Sequence, residues 1–144
     1  MEHVIDKIRE QFGGLAEIEK RSASRIYIRI DKKDLRDVIR YLFVDLGGRF
    51  STASGVDEAG CMEILYHMSF DRHGGFVTVR TQAQKPELEM DSIMDIVAGA
   101  EWIEKEMNEL LGIKFKGNAR ETSFLLPDDW PEGICPFRKG DQGK

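Results

Sequence analysis

Five side chains in this sequence are of types that hold soft metals or act as nucleophile and base: His3, His67, His73, Cys61 and Cys135. Their spacing argues against both roles. There is no Cys-x-x-Cys and no His-Glu-x-x-His, and the two cysteines fall short of the four thiolates an iron–sulfur cluster normally takes. Cys61 and His67 share parity on one predicted strand, where the intervening chain holds them roughly 20 Å apart, too far for a dyad. His67 and His73 read as surface histidines. Glu104 and Glu106 lie two apart on a predicted helix and point about 200° apart, so they do not share a proton. Glu101 and Lys105 have the spacing of a surface ion pair. Asp128 and Asp129 are adjacent in an extended segment, where side chains alternate in direction, and a turn or cap role is the ordinary one. Gly13-Gly14, Gly47-Gly48 and Gly74-Gly75 are doublets at element ends, and none fits a phosphate-cradling loop.

The elements that would position these residues are legible from period and punctuation. Val4, Ile5, Ile8 and Phe12 share a helical face, stopped by Gly13-Gly14. Leu15 to Lys20 reads as a weak strand and Ser22 to Ser24 as a turn. Ile26, Ile28 and Ile30 alternate with Arg25, Tyr27 and Arg29, the mark of a half-buried strand. Asp31 caps a predicted helix whose apolar face runs Leu35, Val38, Ile39, Leu42, Phe43 and Leu46. A short strand follows over Arg49 to about Ala53. Cys61 to Phe70 and Phe76 to Ala83 alternate around a glycine turn and predict a hairpin. Gln84 to Met90 reads as loop. Ser92 with Asp95 resembles a capping box opening a turn or two of helix. A last helix starts near Ala100, with Ile103, Met107, Leu110 and Leu111 on its apolar face, and ends at Gly112. The expected class is α+β: a small, mostly antiparallel sheet with helices on one face.

Composition bounds the rest. The chain has 144 residues, 41% hydrophobic and 33% charged, which suits one globular domain. Its net charge is −5, and neither half is net positive, so nucleic acid is not an expected partner. Mean hydropathy is −0.40, and no apolar run approaches the ~20 residues of a membrane span. Direct membrane insertion is therefore not expected. Met1-Glu2-His3 lacks the pattern of a signal peptide, and two cysteines do not staple a secreted scaffold, so a reduced cytoplasmic setting is the expectation.

The final stretch differs. Pro127, Pro131 and Pro136 are three of the four prolines in the chain, which excludes a regular helix or central strand. Phe124, Leu125, Leu126, Trp130, Ile134 and Phe137 lie in the same stretch, and a solvated tail avoids such residues. The predicted division is a domain over 1–123 and an extended, proline-rich C-terminal arm over 124–144.

Two motifs carry a resemblance. Gly99-Ala100-Glu101-Trp102-Ile103-Glu104-Lys105-Glu106-Met107-Asn108-Glu109-Leu110-Leu111-Gly112-Ile113-Lys114-Phe115-Lys116-Gly117 resembles a signature of the thirty-kilodalton subunit family of NADH:quinone oxidoreductase (respiratory complex I). Trp102, Glu104, Glu106, Gly112, Ile113, Phe115 and Gly117 match it directly. Lys105 stands where the family has Arg, Glu109 where it has Asp, Leu111 where it has Phe, and Asn118-Ala119 replaces a usual His-Pro. Leu125-Leu126-Pro127-Asp128-Asp129-Trp130-Pro131-Glu132-Gly133 and Pro136-Phe137-Arg138-Lys139 look like the family's C-terminal motif. Similarity reaches back to about Ile26, while residues 1–24 contribute little. Gly55 to Gly60 lacks the Asp-Tyr-Pro step of the quinone-linked branch. Glu63 to Met68 and the Pro-Asp-Asp-Trp-Pro-Glu-Gly string look more like the related subunit of membrane-bound, energy-converting nickel–iron hydrogenases and formate hydrogenlyase.

The resemblance implies a non-catalytic assembly and docking subunit, without a catalytic site or cofactor of its own, held against a large catalytic subunit. A small iron–sulfur subunit is a further implied neighbour, and the implied location is the inner face of the cell membrane, peripheral, through the complex. A true thirty-kilodalton subunit of a quinone-reducing complex I and a stand-alone small-ligand regulatory domain are the alternatives. The implied partner-interface residues are Glu104, Glu106, Asp128, Asp129, Trp130, Phe137 and Arg138. Between the two glutamates, Glu106 is expected near the apolar face, reaching a buried basic group, and Glu104 toward solvent or partner. The arm is expected to gain most of its contacts in the complex.

Overall fold

Alternating β-branched residues dominate the middle of the chain, and they build its largest unit. The computed structural model describes residues 1–118 and 125–139. Its elements are α1 (Glu2–Phe12), β1 (Glu17–Lys20), β2 (Arg25–Arg29), α2 (Leu35–Arg40), β3 (Arg49–Asp57), β4 (Cys61–Phe70), β5 (Gly75–Gln84), β6 (Glu89–Asp91), α3 (Ala100–Leu111) and β7 (Lys114–Lys116). Five strands form one sheet in the order β1-β2-β5-β4-β3. All its pairs are antiparallel except β2 with β5, which run parallel from Arg25 beside Phe76 to Arg29 beside Arg80. The α+β expectation holds.

One face of the sheet carries Ile26, Ile28, Met62, Ile64, Tyr66, Met68, Val77 and Val79, all fully buried. These join one core with Val4, Ile5 and Ile8 of α1, Leu35, Val38 and Ile39 of α2, and Met107 and Leu111 of α3. The opposite face is polar. There Arg80 pairs with Glu63 at 2.7 Å and stacks over Tyr27. His67 is half-buried there, not a surface group: its Nδ1 lies 3.0 Å from Thr78 Oγ1 and its Nε2 3.4 Å from Ser54 Oγ. That burial pushes the imidazole pKa down.

Three elements depart from expectation. The helix after Asp31 is not uniform: a 3₁₀ turn (Lys32–Asp34) precedes α2 and a π turn (Tyr41–Asp45) follows it. Asp31 caps the start by accepting from the Lys33 amide at 3.2 Å. The wide turn closes with Leu46 N–H on Tyr41 O at 3.0 Å, keeping Leu42 buried and turning Val44 out to solvent. Second, β3 runs on to Asp57, past a bulge between Phe50 and Thr52. Its Ser54-Gly55 step weakens the strand signal. Gly55 lies where α3 comes down on the strand: a Cβ there would stand 2.4 Å from Leu111 Cδ1, so a larger residue would push the Leu111 side chain aside. Third, the segment read as loop contains β6, which pairs in parallel with β7. Ser92 to Val97 makes a single turn, Val97 N–H to Ile93 O at 2.8 Å, the shorter form of the turn or two expected there.

Gly112 ends α3 at φ +78°, with its N–H on Asn108 O at 3.0 Å. Gly112→Ala should cost about 1 kcal/mol from the left-handed backbone alone. The new Cβ would also sit 3.1 Å from Cys135 Sγ. Urea unfolding of the purified variant measures the loss.

Candidate functional site

The acids of α3 hold the chain together around themselves. Ala100, Glu104, Met107 and Leu111 form the buried stripe of this helix. Glu104 is 0% exposed. Its carboxylate accepts from Ser92 Oγ–H at 2.6 Å, Ile93 N–H at 2.8 Å and Asn118 Nδ2–H at 3.0 Å. Asn118 also donates to Glu101 O at 3.0 Å. One side chain thus ties α3 to the turn after β6 and to the residues after β7. Burial pushes its pKa up, and the three hydrogen bonds oppose that shift.

This overturns the expected division of the two glutamates. Glu104, not Glu106, faces the interior, so it is not a partner-facing residue. The sequence reading counted only apolar residues in the stripe, and a glutamate four residues after Ala100 and three before Met107 occupies the same face. Glu106 is half-buried, and no basic group of this chain reaches it among the described residues. It lies in an apolar groove between β3 and α3 whose walls include Gly55, Val56, Ile103, Leu110 and Phe137.

Glu109 is the third acid of the helix and is also buried. Its Oε2 accepts from the backbone N–H of Leu125 at 2.6 Å and of Leu126 at 3.3 Å. Two more bonds fasten the arm further along. Phe137 N–H donates to Leu110 O at 3.0 Å, meeting a carbonyl that the end of α3 would otherwise leave open. Lys139 N–H donates to Asp57 Oδ2 at 2.6 Å. Asp57, buried at the end of β3, pairs also with Lys85, whose Nζ reaches Glu58 O at 2.7 Å. Burial alone would raise the Asp57 pKa, but the bonds from Lys85 and the Lys139 amide outweigh it and hold the carboxyl below its ordinary range.

Between these ties the described arm, residues 125–139, runs in turns rather than as one extended strand. Trp130 N–H bonds Pro127 O at 3.0 Å, and its indole Nε1–H bonds Ile134 O at 2.8 Å, closing a loop. Asp128 and Asp129 are exposed within it. Arg138 is half-buried beside Gly112. Trp130 is 37% exposed and Phe137 62%. A cleft of about 500 Å³ opens between this loop and the end of α3, walled by Asn108, Lys114, Trp130, Glu132 and Arg138. Phe124 and the boundary expected at 123/124 lie outside the described residues.

The structure thus brings Phe137 beside Glu106 and sets Arg138 against the end of α3. It leaves Asp128, Asp129 and Trp130 on the outer loop. Sequence reasoning did not single out Asp57, Ser92 or Asn118 as ties, and gave Glu109 no role. Only Glu109 carried a signal, the acidic position of the matched motif. Among the described residues no group of three or more His, Cys, Asp or Glu is placed to hold a metal ion, and no helix is long and apolar enough to cross a membrane.

Comparison with known proteins gives this geometry its relatives. Formate hydrogenlyase subunit 5 of Escherichia coli K12 is 27% identical over 143 residues, which cover 96% of this chain and 25% of that protein. The chain therefore spans about a quarter of that relative's length. The membrane-bound hydrogenase subunit beta of Pyrococcus furiosus is 26% identical over 149 residues, covering 99% of this chain and 86% of that protein. A chain of an archaeal respiratory membrane complex, the membrane-bound sulfane sulfur reductase, superposes with a TM-score of 0.83 at 26% identity, over 96% of this chain and 83% of that one. The family described as respiratory-chain NADH dehydrogenase, 30 Kd subunit, matches residues 28–144, and the chain belongs to it.

Proposed function

We propose that this chain is a non-catalytic assembly subunit of a membrane-linked oxidoreductase complex, of the hydrogenase branch, and that it docks on the large catalytic subunit through α3 and the C-terminal arm. One observation carries the reading. Trp102, Leu125, Trp130 and Phe137 are exposed on α3 and the arm, while the backbone beneath the arm is fastened to Glu109, Leu110 and Asp57. Large apolar side chains on a pre-ordered backbone fit a protein interface, because little entropy remains to be lost on binding. Arg138 adds a forked donor at the same end.

On this reading the chain contributes no cofactor, and the redox chemistry belongs to its partners. The small iron–sulfur subunit of such a complex is a second neighbour. The chain sits peripherally, on the cytoplasmic side, through the complex. Membership of membrane-bound hydrogenase and respiratory complexes among its relatives supports the peripheral attachment to a membrane-bound complex.

Co-expression with the large subunit tests the proposal. The full chain should co-purify with it. A chain ending at residue 124, and the double variant Trp130→Ala with Arg138→Ala, should lose most of that yield. Recovery of both at the full-chain level rejects the docking role.

A further inference from the structure

Resting on the docking reading above, we infer that the groove between β3 and α3 takes an extended segment of the large subunit, laid along the open edge of β3 with a basic side chain on Glu106. Three observations carry this. First, β3 ends the sheet. Among the described residues no backbone–backbone bond fills its outer side from Arg49 to Asp57. An unpaired edge of nine residues is a template for one more strand. Second, a groove of about 390 Å³ runs beside that edge. All five residues from Ala53 to Asp57 line it, although their side chains alternate in direction, so the groove follows the strand's backbone edge. Val56 and Phe137 are exposed along its walls.

The third observation is charge. Of the acids on α3, Glu101 pairs with Lys105, Glu104 is bonded on all sides and Glu109 holds the arm. Glu106 is half-buried against apolar walls and has no hydrogen bond or ion pair with the described residues. A carboxylate in that setting is complemented by a cation from outside the chain, and covering it without one would strand a charge away from water. The occupant is therefore an extended peptide with an apolar side chain for the groove and an arginine or lysine placed for Glu106. Lys139 lies at the groove as well, which disfavours a second basic group next to it.

The test uses the full chain and the large subunit of its complex. Glu106→Gln should weaken binding about 30-fold, the effect of removing one partner of a desolvated charge pair. Glu106→Arg should weaken it further. Neither should shift the melting temperature of the isolated chain. Wild-type affinity should fall more steeply with salt than that of Glu106→Gln. Val56→Arg, from the opposite wall, should block binding without unfolding the chain. Wild-type affinity in all three variants overturns the inference, while loss of binding on truncation at residue 124 would still uphold the docking reading. Sedimentation showing a dimer broken by Glu106→Arg would also overturn it, because the edge would then belong to a second copy of this chain.

Discussion

Glu104→Ala should destabilise the isolated chain by about 3–5 kcal/mol, measured by urea unfolding. The substitution strands the Ser92 hydroxyl and the Ile93 amide inside the fold and leaves the half-buried Asn118 amide with only the Glu101 carbonyl. Each buried donor left without an acceptor costs about 1–3 kcal/mol, and partial relaxation keeps the sum below the maximum. Glu104→Gln should cost less, since its amide oxygen still accepts one of these bonds. Glu106→Ala, on a half-buried side chain bonded to nothing described, should stay within about 0.5 kcal/mol. Equal losses at the two positions would reject the assignment. The pH dependence has a definite sign. The Glu104 pKa is raised in the folded chain above its ordinary 4.5. Its favourable contribution is therefore complete below that ordinary value and is lost as pH rises through the folded one. Going from about pH 7 to about pH 5, wild type should gain stability relative to Glu104→Gln.

Asp57→Ala should cost about 3 kcal/mol and free the end of the arm at the same time. It removes the partner of Lys85, which is three-quarters buried, and the acceptor for the Lys139 amide. The lower part of the range for a broken buried pair applies, because Lys85 keeps the Glu58 carbonyl. Here the sign is opposite to that of Glu104. A depressed carboxyl stabilises the fold above its ordinary 3.8 and loses that contribution as pH falls through the folded value. Hydrogen exchange gives the second readout: the Lys139 amide should lose protection in Asp57→Ala while Met68 and Val77, in the central β4–β5 pair, keep theirs. Unchanged protection at Lys139 would show that the arm is held elsewhere.

What could be read from the sequence was whatever has a local cause. The Ile26, Ile28, Ile30 alternation needs no partner to be visible, and neither does the β4–β5 hairpin around its glycine turn. Gly112 marked the end of α3 for the same reason. The misses depend on partners distant in the chain. β6 and β7 are three residues each, too short for a period, and exist because they pair with each other. The tail of β3 hides behind Gly55, which weakens a strand pattern and lies against Leu111 of α3. At the candidate site, the exposure of Trp130 and Phe137 follows from their place in a segment with no period of its own, and their role as anchors, with Arg138, belongs to the proposal. The place of Glu104 on the buried face follows from its spacing to Ala100 and Met107, but the partners that satisfy it, Ser92 and Asn118, lie off the helix and leave no local mark. The seat of the arm on Glu109 and Asp57 joins residues up to 82 positions apart, and no periodicity records that.

The parallel register of β2 with β5 also predicts an order of assembly. β4 and β5 meet across one short turn, and β3 reaches β4 across another. Closing such turns costs little entropy, and each rewards the chain at once with ladder bonds and buried apolar area. β2 comes from far back in the chain, with Arg25 beside Phe76. It gains its pairing only once β5 is there to receive it. The region from Arg49 to Gln84 is therefore expected to form first, so destabilising substitutions in the β4–β5 hairpin should slow folding, while those in β2 should mainly speed unfolding. The arm, last in sequence and fixed to the outer end of that region, completes the fold at the surface that the proposed partner covers.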